Sequence, residues 1–189
     1  MHKQKQRSGQ MAFRSRSFRI DNRLGKYFIN GTDQTATTSS LETSVEALEG
    51  KAYGSFYMTT GVVTLGTSYT LMNMGGVRTG TTDDFSLSSD IVTVSKTGVF
   101  LVSYCITTDC TSGSARTESQ AVLYRNGSME DGTLTGMYNR IVDRGLANGA
   151  WTGILSITSG DTFGIYALKT GSDTVQQEEH STNLTFVEL

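Results

Sequence analysis

The 189 residues are enough for one domain of ordinary size and an appendage, and the longest apolar runs are too short to cross a membrane. No apolar stretch follows the basic N-terminus as a secretory signal requires, and two Cys residues set no disulfide framework. The net charge of −2 divides into +7 over residues 1 to 26, with eight basic groups against one acidic, and −9 over residues 27 to 189, with eight against 17.

The basic N-terminal arm, residues 1 to 26, shows no sustained periodicity, and its charge is the strongest indication of a partner. Its arginines could neutralise nucleic-acid phosphates while Phe13 and Phe18 stack on bases. They could equally lie along an acidic protein surface with the phenylalanines as apolar anchors, and the composition also suits a disordered tail. We expect docking on a protein partner, with nucleic acid as the second choice. The residues predicted to carry the docking are Phe13, Arg14, Arg16, Phe18, Arg19, Arg23 and Lys26.

A short extended piece and a linker follow the arm. Residues 27 to 29 are apolar and precede Asn30-Gly31, which predicts a strand that ends in a turn. Residues 32 to 40 are rich in Thr and Ser and are expected to form a polar linker.

Residues 40 to 49 carry the one helix signal that we find in the chain. Ser39 can cap the N-terminus, Glu42 completes a capping box and Gly50 can end the helix. Because ten residues cannot hold a helix alone in water, we expect it to pack on the body or to meet its copies around an axis. Its apolar stripe has the narrow spacing of a coiled coil and consists of Leu41, Val45 and Leu48.

The stretch from Gly98 to Thr108 predicts the central strand of an all-β domain. With a period of two, one face carries Val99, Leu101, Ser103 and Cys105, and the other carries Phe100, Val102, Tyr104 and Ile106. Both faces are largely apolar, so both must be covered. One face can meet a sandwich core, and the second needs another sheet, a helix or another copy of the chain. Since no other amphipathic helix appears, we expect oligomerisation to bury this outer face.

Strand signals recur from Lys51 to the last residue at spacings of roughly ten residues, which is typical of a β-sandwich or barrel. Asn126-Gly127 is the strongest hairpin signal, and Ser159-Gly160-Asp161 predicts a second hairpin. Residues 134 to 142 are ambiguous, and residues 145 to 148 are predicted as loop. The predicted strands are residues 52 to 58, two short ones within 62 to 74, then 85 to 87, 91 to 94, 98 to 108, 117 to 125, 151 to 158, 162 to 168 and 182 to 189.

Four motifs, taken in order, are similar to those of one family. They are Gly98-Val-Phe-Leu-Val-Ser-Tyr, Ala121-Val-Leu-Tyr-Arg-Asn-Gly, Leu155-Ser-Ile-Thr-Ser-Gly-Asp-Thr-Phe and Thr182-Asn-Leu-Thr-Phe-Val-Glu-Leu. Together they resemble the jelly-roll family of complement globular heads and tumour-necrosis factors, above all its bacterial and phage members. The resemblance implies a ten-strand jelly roll in a compact homotrimer, with aromatic residues of the outer-facing strands along the threefold axis. Matched by strand, Tyr104 and Tyr166 are candidates for that axis, or else ordinary core tyrosines.

The chain lacks the collagen-like stalk and the secretion signal of the animal members, which argues against an extracellular immune role. A basic arm, a short helix and a jelly roll instead resemble a virion protein of a tailed phage. We therefore expect a homotrimeric capsid decoration (cement) protein, made in the host cytoplasm, whose arm docks on the major capsid protein or another virion protein. The alternative is a fibre tip or adhesin whose loops 111 to 117 and 170 to 181 bind a host receptor or glycan. No membrane partner is expected.

The expected organisation has three parts: an arm and linker over residues 1 to 35, a helix or neck over 36 to 51, and an all-β jelly-roll β-sandwich over 52 to 189. Cys105 lies in the predicted central strand and Cys110 in the loop after it. Reduced thiols are favoured over a hairpin disulfide between them in a protein made in a cytoplasm.

No residue pattern predicts catalysis, a metal or a cofactor. Residues 178 to 180, Glu-Glu-His, predict a solvated loop, since three consecutive residues do not converge on one ion in an extended chain. Asp83-Asp84 and Asp90 lack the spacing of a calcium loop and are expected on the surface. Trp151 is expected in the core or an interface rather than as a sugar platform. With no phosphate loop or nucleophile elbow either, we expect no enzyme.

Overall fold

The computed structural model describes residues 18–21, 26–29, 32–33, 50–81, 83–113, 116–140 and 145–189. The chain divides into two compact units, Met1–Gly50 and Lys51–Leu189. No helix occurs among the described residues. The helix predicted for residues 40 to 49 lies outside them, and so does its stripe of Leu41, Val45 and Leu48.

The described part of the first unit is a three-stranded antiparallel sheet. Its strands are β1 (Phe18–Asp21), β2 (Lys26–Ile29) and β3 (Thr32–Asp33). Ile29 pairs with Thr32, so the predicted strand that ends at Ile29 is confirmed, whereas the predicted turn at Asn30-Gly31 lies outside the described residues. β1 pairs with β2 along its whole length, although the aperiodic basic sequence did not indicate a strand there.

The described part of the second unit consists of short strands joined by turns. Asn126 and Gly127 both have positive φ, of 53° and 78°, as the predicted hairpin turn requires. The strands are β4 (Tyr53–Tyr57), β5 (Thr70–Leu71), β6 (Gly76–Gly80), β7 (Phe85–Ser88), β8 (Ile91–Val94), β9 (Gly98–Ser112), β10 (Thr117–Arg125), β11 (Ser128–Met129), β12 (Thr135–Asn139), β13 (Ala147–Ile157), β14 (Thr162–Lys169), β15 (Thr174–Gln177) and β16 (Asn183–Glu188).

These strands form two antiparallel sheets that pack face to face. The six-stranded sheet has the order β13-β9-β16-β4-β6, and β15 pairs with the far part of β9. The seven-stranded sheet has the order β11-β10-β14-β8-β7, with β12 beside β10 and β5 beside β14. The all-β sandwich that the sequence predicts is therefore confirmed for this unit.

The apolar core lies between the sheets, and β9 supplies its middle. Phe100, Val102 and Ile106 are fully buried, while the alternate residues of β9 face away from the core. Phe163 of the opposite sheet meets Phe186 of β16 edge to face, with ring centroids 5.3 Å apart. β9 is thus the two-sided central strand that its sequence predicts.

β9 is longer than predicted, and this changes the position of one cysteine. The strand continues to Ser112, so Cys110 lies within it and not in a following loop. Cys105 is half-buried and Cys110 is buried, and both are free thiols. Because five residues separate them on one strand, their side chains lie on opposite faces of the sheet and cannot form a disulfide.

The second predicted hairpin is wrong. β13 pairs with β9 in one sheet and β14 pairs with β10 in the other, so the turn between them carries the chain across the sandwich. The Asp161 carboxylate holds this crossing by accepting hydrogen bonds from Arg125, Asn126 and the backbone of Thr158. Burial opposes its charged form, but these hydrogen bonds outweigh burial and lower the pKa of Asp161.

Several strand boundaries also differ from prediction. Residues 147 and 148 belong to β13 rather than to a loop, and the ambiguous segment contains β12. Residues 62 to 74 contain β5 and an isolated bridge at Thr64 instead of two strands. β6 was not predicted, since its Gly-rich sequence carries little apolar pattern. β15 lies within the predicted loop of residues 170 to 181, because its alternation is only four residues long.

Candidate functional site

The outer face of the six-stranded sheet, the side that points away from the core, carries a continuous apolar row. Its members lie side by side on four neighbouring strands: Ile154 on β13, Leu101 on β9, Val187 on β16 and Tyr53 on β4. In the isolated chain they are 64%, 38%, 41% and 46% exposed, in that order. We call these four residues the apolar row.

Two further apolar side chains extend the row towards the end of the chain. The backbone amide of Leu189 donates to the carbonyl of Val99 at 2.9 Å, which places the C-terminal residue beside β9. Val99 is 45% exposed and Leu189 is 53% exposed. The face therefore presents a larger apolar area than single scattered side chains, and such patches mark interaction surfaces.

A row of hydroxyl side chains lies beside the apolar row on the same four strands. It consists of Thr152, Ser103, Thr185 and Ser55, again in register. The hydroxyl oxygens of Ser55 and Thr185 are 3.3 Å apart and share a hydrogen bond. Because hydroxyls can both donate and accept, this hydroxyl row can satisfy itself or a facing backbone.

The third row on this face is also uncharged. It contains Ala150, Cys105, Asn183 and Tyr57, and the Asn183 amide donates to the Cys105 sulfur at 2.9 Å. None of the residues in the three rows carries a charge. The rows themselves can be buried against a partner without the desolvation of unpaired ions, and the Arg78 guanidinium of β6 borders them, 5.3 Å from the centre of the Tyr57 ring.

The edge of the face is held by an ion pair outside the rows. The Glu188 carboxylate lies 2.8 Å from the Lys96 ammonium and accepts from the Ala52 amide at 2.8 Å. Burial opposes ionisation of Glu188, but Lys96 and the Ala52 amide outweigh it and lower its pKa. β16, which carries Val187, is thereby fixed at its C-terminal end.

Tyr104, a candidate for the threefold axis, lies in the core. Its side chain is 1% exposed and stacks against Trp151, with ring centroids 6.2 Å apart. Its hydroxyl donates to the backbone carbonyls of Ala121, at 3.0 Å, and Thr133. Burial raises the pKa of Tyr104 to about 12. The sequence left two roles open for Tyr104, and the structure shows it as a core residue. Its side chain is not part of the subunit surface.

Tyr166, the second candidate, lies on the outer face of the seven-stranded sheet. Its ring stacks on that of Tyr124, with centroids 4.0 Å apart and planes 24° apart. It is half-buried by its own chain. The two tyrosines thus lie on different sides of the seven-stranded sheet, and the structure does not bring them together.

The arm residues are only partly described. Phe18 and Arg19 lie in β1, and Lys26 begins β2. The remaining residues predicted to dock lie outside the described part of the chain: Phe13, Arg14, Arg16 and Arg23.

The other candidate residues are accounted for by the chain itself. His180 is exposed in a turn with a φ of 60°. The Asp90 carboxylate accepts from the Met74 amide at 2.7 Å, which gives it a structural role. Among the described residues, no group of three or more His, Cys, Asp or Glu side chains could hold a metal ion. Among the described residues, no helical segment has the length and apolarity needed to span a membrane.

Comparison with solved structures identifies the fold. Murine APRIL, in its crystal structure at pH 5.0, has a TM-score of 0.51 and 15% identity, over 74% of this chain and 99% of that one. Eiger TNF from S. frugiperda has a TM-score of 0.54 and 18% identity, over 74% of this chain and 92% of that one. No protein-family model and no curated protein sequence matches. The second unit is therefore a TNF-like jelly roll, as predicted.

Sequence reasoning found the outer side of β9 and predicted strands at β4, β13 and β16, but it did not show that these strands lie beside β9 in one face. Ile154 stands between Gly153 and Leu155, and this unbroken apolar run hides which residue points outward. Val187 and Tyr53 are also outward, but only the pairing of β16 with β4 and β9 aligns them with Leu101. The sequence shows the alternation within each strand, but it does not show the register between strands.

Proposed function

We propose that this protein is a non-enzymatic structural protein that forms a homotrimer through the outer face of its six-stranded sheet. The observation that carries the proposal is the apolar row. Fully burying one aliphatic side chain contributes about 1.5–3 kcal/mol, and these side chains are 38–64% exposed, so association gains a corresponding part of that figure for each. Summed along the row and over three subunits, these contributions can drive association. The absence of charge in the rows favours a partner with an equally uncharged surface, and a second copy supplies one.

A closed ring is the form of self-association that suits this face. The row runs from the edge strand β13 to β4, so one copy can place its edge on the face of the next. A contact of this head-to-tail kind closes into a ring when the rotation per subunit allows. The TNF-like fold supports a ring of three as the proposed size.

The proposed role is that of a capsid decoration protein attached through the arm. The support is the charge division of +7 over residues 1 to 26 against −9 over residues 27 to 189. A basic arm favours an acidic partner surface, which we propose to be that of the major capsid protein or another virion protein. A trimer would deliver three arms at once, so their weak contacts combine through effective concentration.

Two measurements test this role. Light scattering after size exclusion of the full-length chain should give three times the 20.5 kDa subunit mass, and a stable monomer would contradict the assembly. Quantification of the protein in purified particles should give hundreds of copies. A few copies at one vertex would favour a fibre, and copies recovered with packaged genome would favour nucleic acid as the partner of the arm.

Deletion of residues 1 to 30 should abolish binding to undecorated particles while the jelly roll remains folded. The arm belongs to a separate compact unit, so its loss removes no residue of the apolar core. Binding is measured by co-sedimentation of the full-length and truncated proteins with particles, and circular dichroism checks the fold. Equal binding by the truncated protein would show that the arm is not the anchor.

Within the arm, Phe13→Ala combined with Phe18→Ala should weaken attachment more than any single arginine substitution. Buried aromatic anchors dominate many interfaces, whereas one exposed ion pair is worth only about 0.2–1 kcal/mol. Arg19→Ala is the matched single substitution. A larger loss from Arg19→Ala than from the double phenylalanine variant would mean that the contact is purely electrostatic and should be released by salt.

A further inference from the structure

A cleft of about 340 Å³ lies on the outer face of the seven-stranded sheet, over β10 and β12. Across these strands Glu118 pairs with Tyr138, and Gln120 pairs with Gly136. The residues that alternate with them are buried in the sandwich, so these four positions face outward. They form a two-by-two grid with a glycine at one corner, which we call the Gly136 cleft.

Nothing within the described chain requires a glycine at position 136. Its φ is not in the left-handed region, and a Cβ there would meet no described atom within 4 Å. A glycine inside a strand costs roughly 0.5–1 kcal/mol relative to alanine, and it often marks a place where a ligand or another backbone approaches closely. The missing Cβ would point out of the sheet, so the approaching group lies over the face and not along the edge of β12.

The side chains around Gly136 provide three kinds of contact. The Tyr138 ring is 45% exposed and forms one wall. The Glu118 carboxylate is exposed and has no hydrogen bond or ion pair among the described residues, so it is a free acceptor. The Gln120 Oε1 accepts from the Tyr69 hydroxyl at 3.3 Å, which orients the amide and leaves its Nε2 donor available.

We propose that the Gly136 cleft binds a neutral saccharide. One sugar ring would lie over Gly136 with hydroxyls on Glu118 and Gln120 and its C–H face against the Tyr138 ring. Small-molecule sites start at about 300 Å³ and combine an apolar wall with a few converging polar groups, which this cleft does. The Glu118 carboxylate disfavours an anionic sugar over the grid itself, and the exposed Arg116 and Arg140 adjoin β10 and β12 beyond Glu118 and Tyr138. A peptide strand would instead add along the edge of β12.

This binding role goes beyond the proposed decoration role and rests on neither the trimer nor the arm. The test uses the full-length chain and saturation-transfer NMR with three probes: tetra-N-acetylchitotetraose, maltotetraose and the anionic trigalacturonate. At least one of the two neutral probes should bind. Gly136→Val should reduce its affinity at least tenfold, because the new side chain fills the cleft yet meets no described atom of the protein at Cβ. Ser86→Val, at an exposed position of β7 in the same sheet, is the matched control and should bind as the parent does.

Glu118→Gln and Tyr138→Ala should each weaken binding severalfold, since one removes the charged acceptor and the other the wall. The proposal is overturned if neither neutral probe binds at millimolar concentration, if trigalacturonate binds in their place, or if Gly136→Val binds as well as Ser86→Val. A monomeric chain that fails to attach to particles but binds a neutral probe would overturn the proposed function and support this site.

Discussion

The two sheets differ in how the chain covers the middle of their outer faces. On the seven-stranded sheet, Val122 points outward and is nevertheless fully buried, because the chain covers it with its own side chains. Leu71 of β5 pairs beside Tyr166, whose ring stacks on Tyr124. On the six-stranded sheet, the equivalent outward position Val187 is 41% exposed and has no such cover among the described residues.

This difference between the two faces indicates which side chains stabilise the fold of one subunit and which are available for association. Side chains that close the outer face of the seven-stranded sheet stabilise the single subunit. The apolar row leaves the six-stranded sheet with apolar surface that the described residues do not cover. Substitutions on the closed face should therefore change unfolding, and substitutions on the open face should change association.

The largest effect is expected from charges placed in the apolar row. Leu101→Lys combined with Val187→Lys should convert the proposed trimer to monomer, because buried unpaired ammonium groups cost several kcal/mol each. The apparent dissociation constant should rise by at least a hundredfold. Size exclusion with light scattering over a range of concentrations measures this. Met129→Lys, at a 44% exposed position of β11, is the control and should leave the mass unchanged. A double variant that keeps the mass of the parent would place the interface elsewhere.

The same truncation on the two faces should act differently. Val122→Ala should lower the free energy of unfolding by about 1–3 kcal/mol, from lost burial and a residual cavity. Val187→Ala should cost the isolated subunit little and should instead alter how the urea midpoint depends on protein concentration. Urea unfolding at several concentrations distinguishes the two. Equal, concentration-independent losses would mean that the open face is not a subunit contact.

A smaller effect is expected at the crossing between the sheets. The pKa of Asp161 is lower in the folded chain than in the unfolded one, so the stability that it contributes is present above the unfolded value, near 3.9, and is lost as the pH falls through the folded value. Asp161→Asn should therefore destabilise the protein by on the order of 1 kcal/mol at pH 7. The urea midpoints of parent and variant should converge as the pH falls below about 4, by the same linkage. A difference that stays constant over this range would assign the loss to geometry rather than to charge.

The sequence by itself determined the fold class and the two-sided central strand. Alternation along residues 98 to 108, the Asn126-Gly127 turn and the order of the motifs are local signals, and the structure carries all of them. These signals predict the all-β character because each depends only on residues that are neighbours in the chain. The periodicity of the sequence therefore shows them directly. The charge division between arm and body is likewise a property of the sequence alone.

Only the tertiary structure decided which sheet each strand joins and which side chains share a face. β13 and β14 look like a hairpin in sequence, yet they belong to different sheets, where β13 pairs with β9 and β14 pairs with β10. Tyr104 is buried in the core, where its hydroxyl lies within hydrogen-bond distance of two backbone carbonyls. The apolar row and the Gly136 cleft both depend on the register between strands that are distant in the chain. Register follows from packing and cross-strand pairing, which no window of the sequence contains.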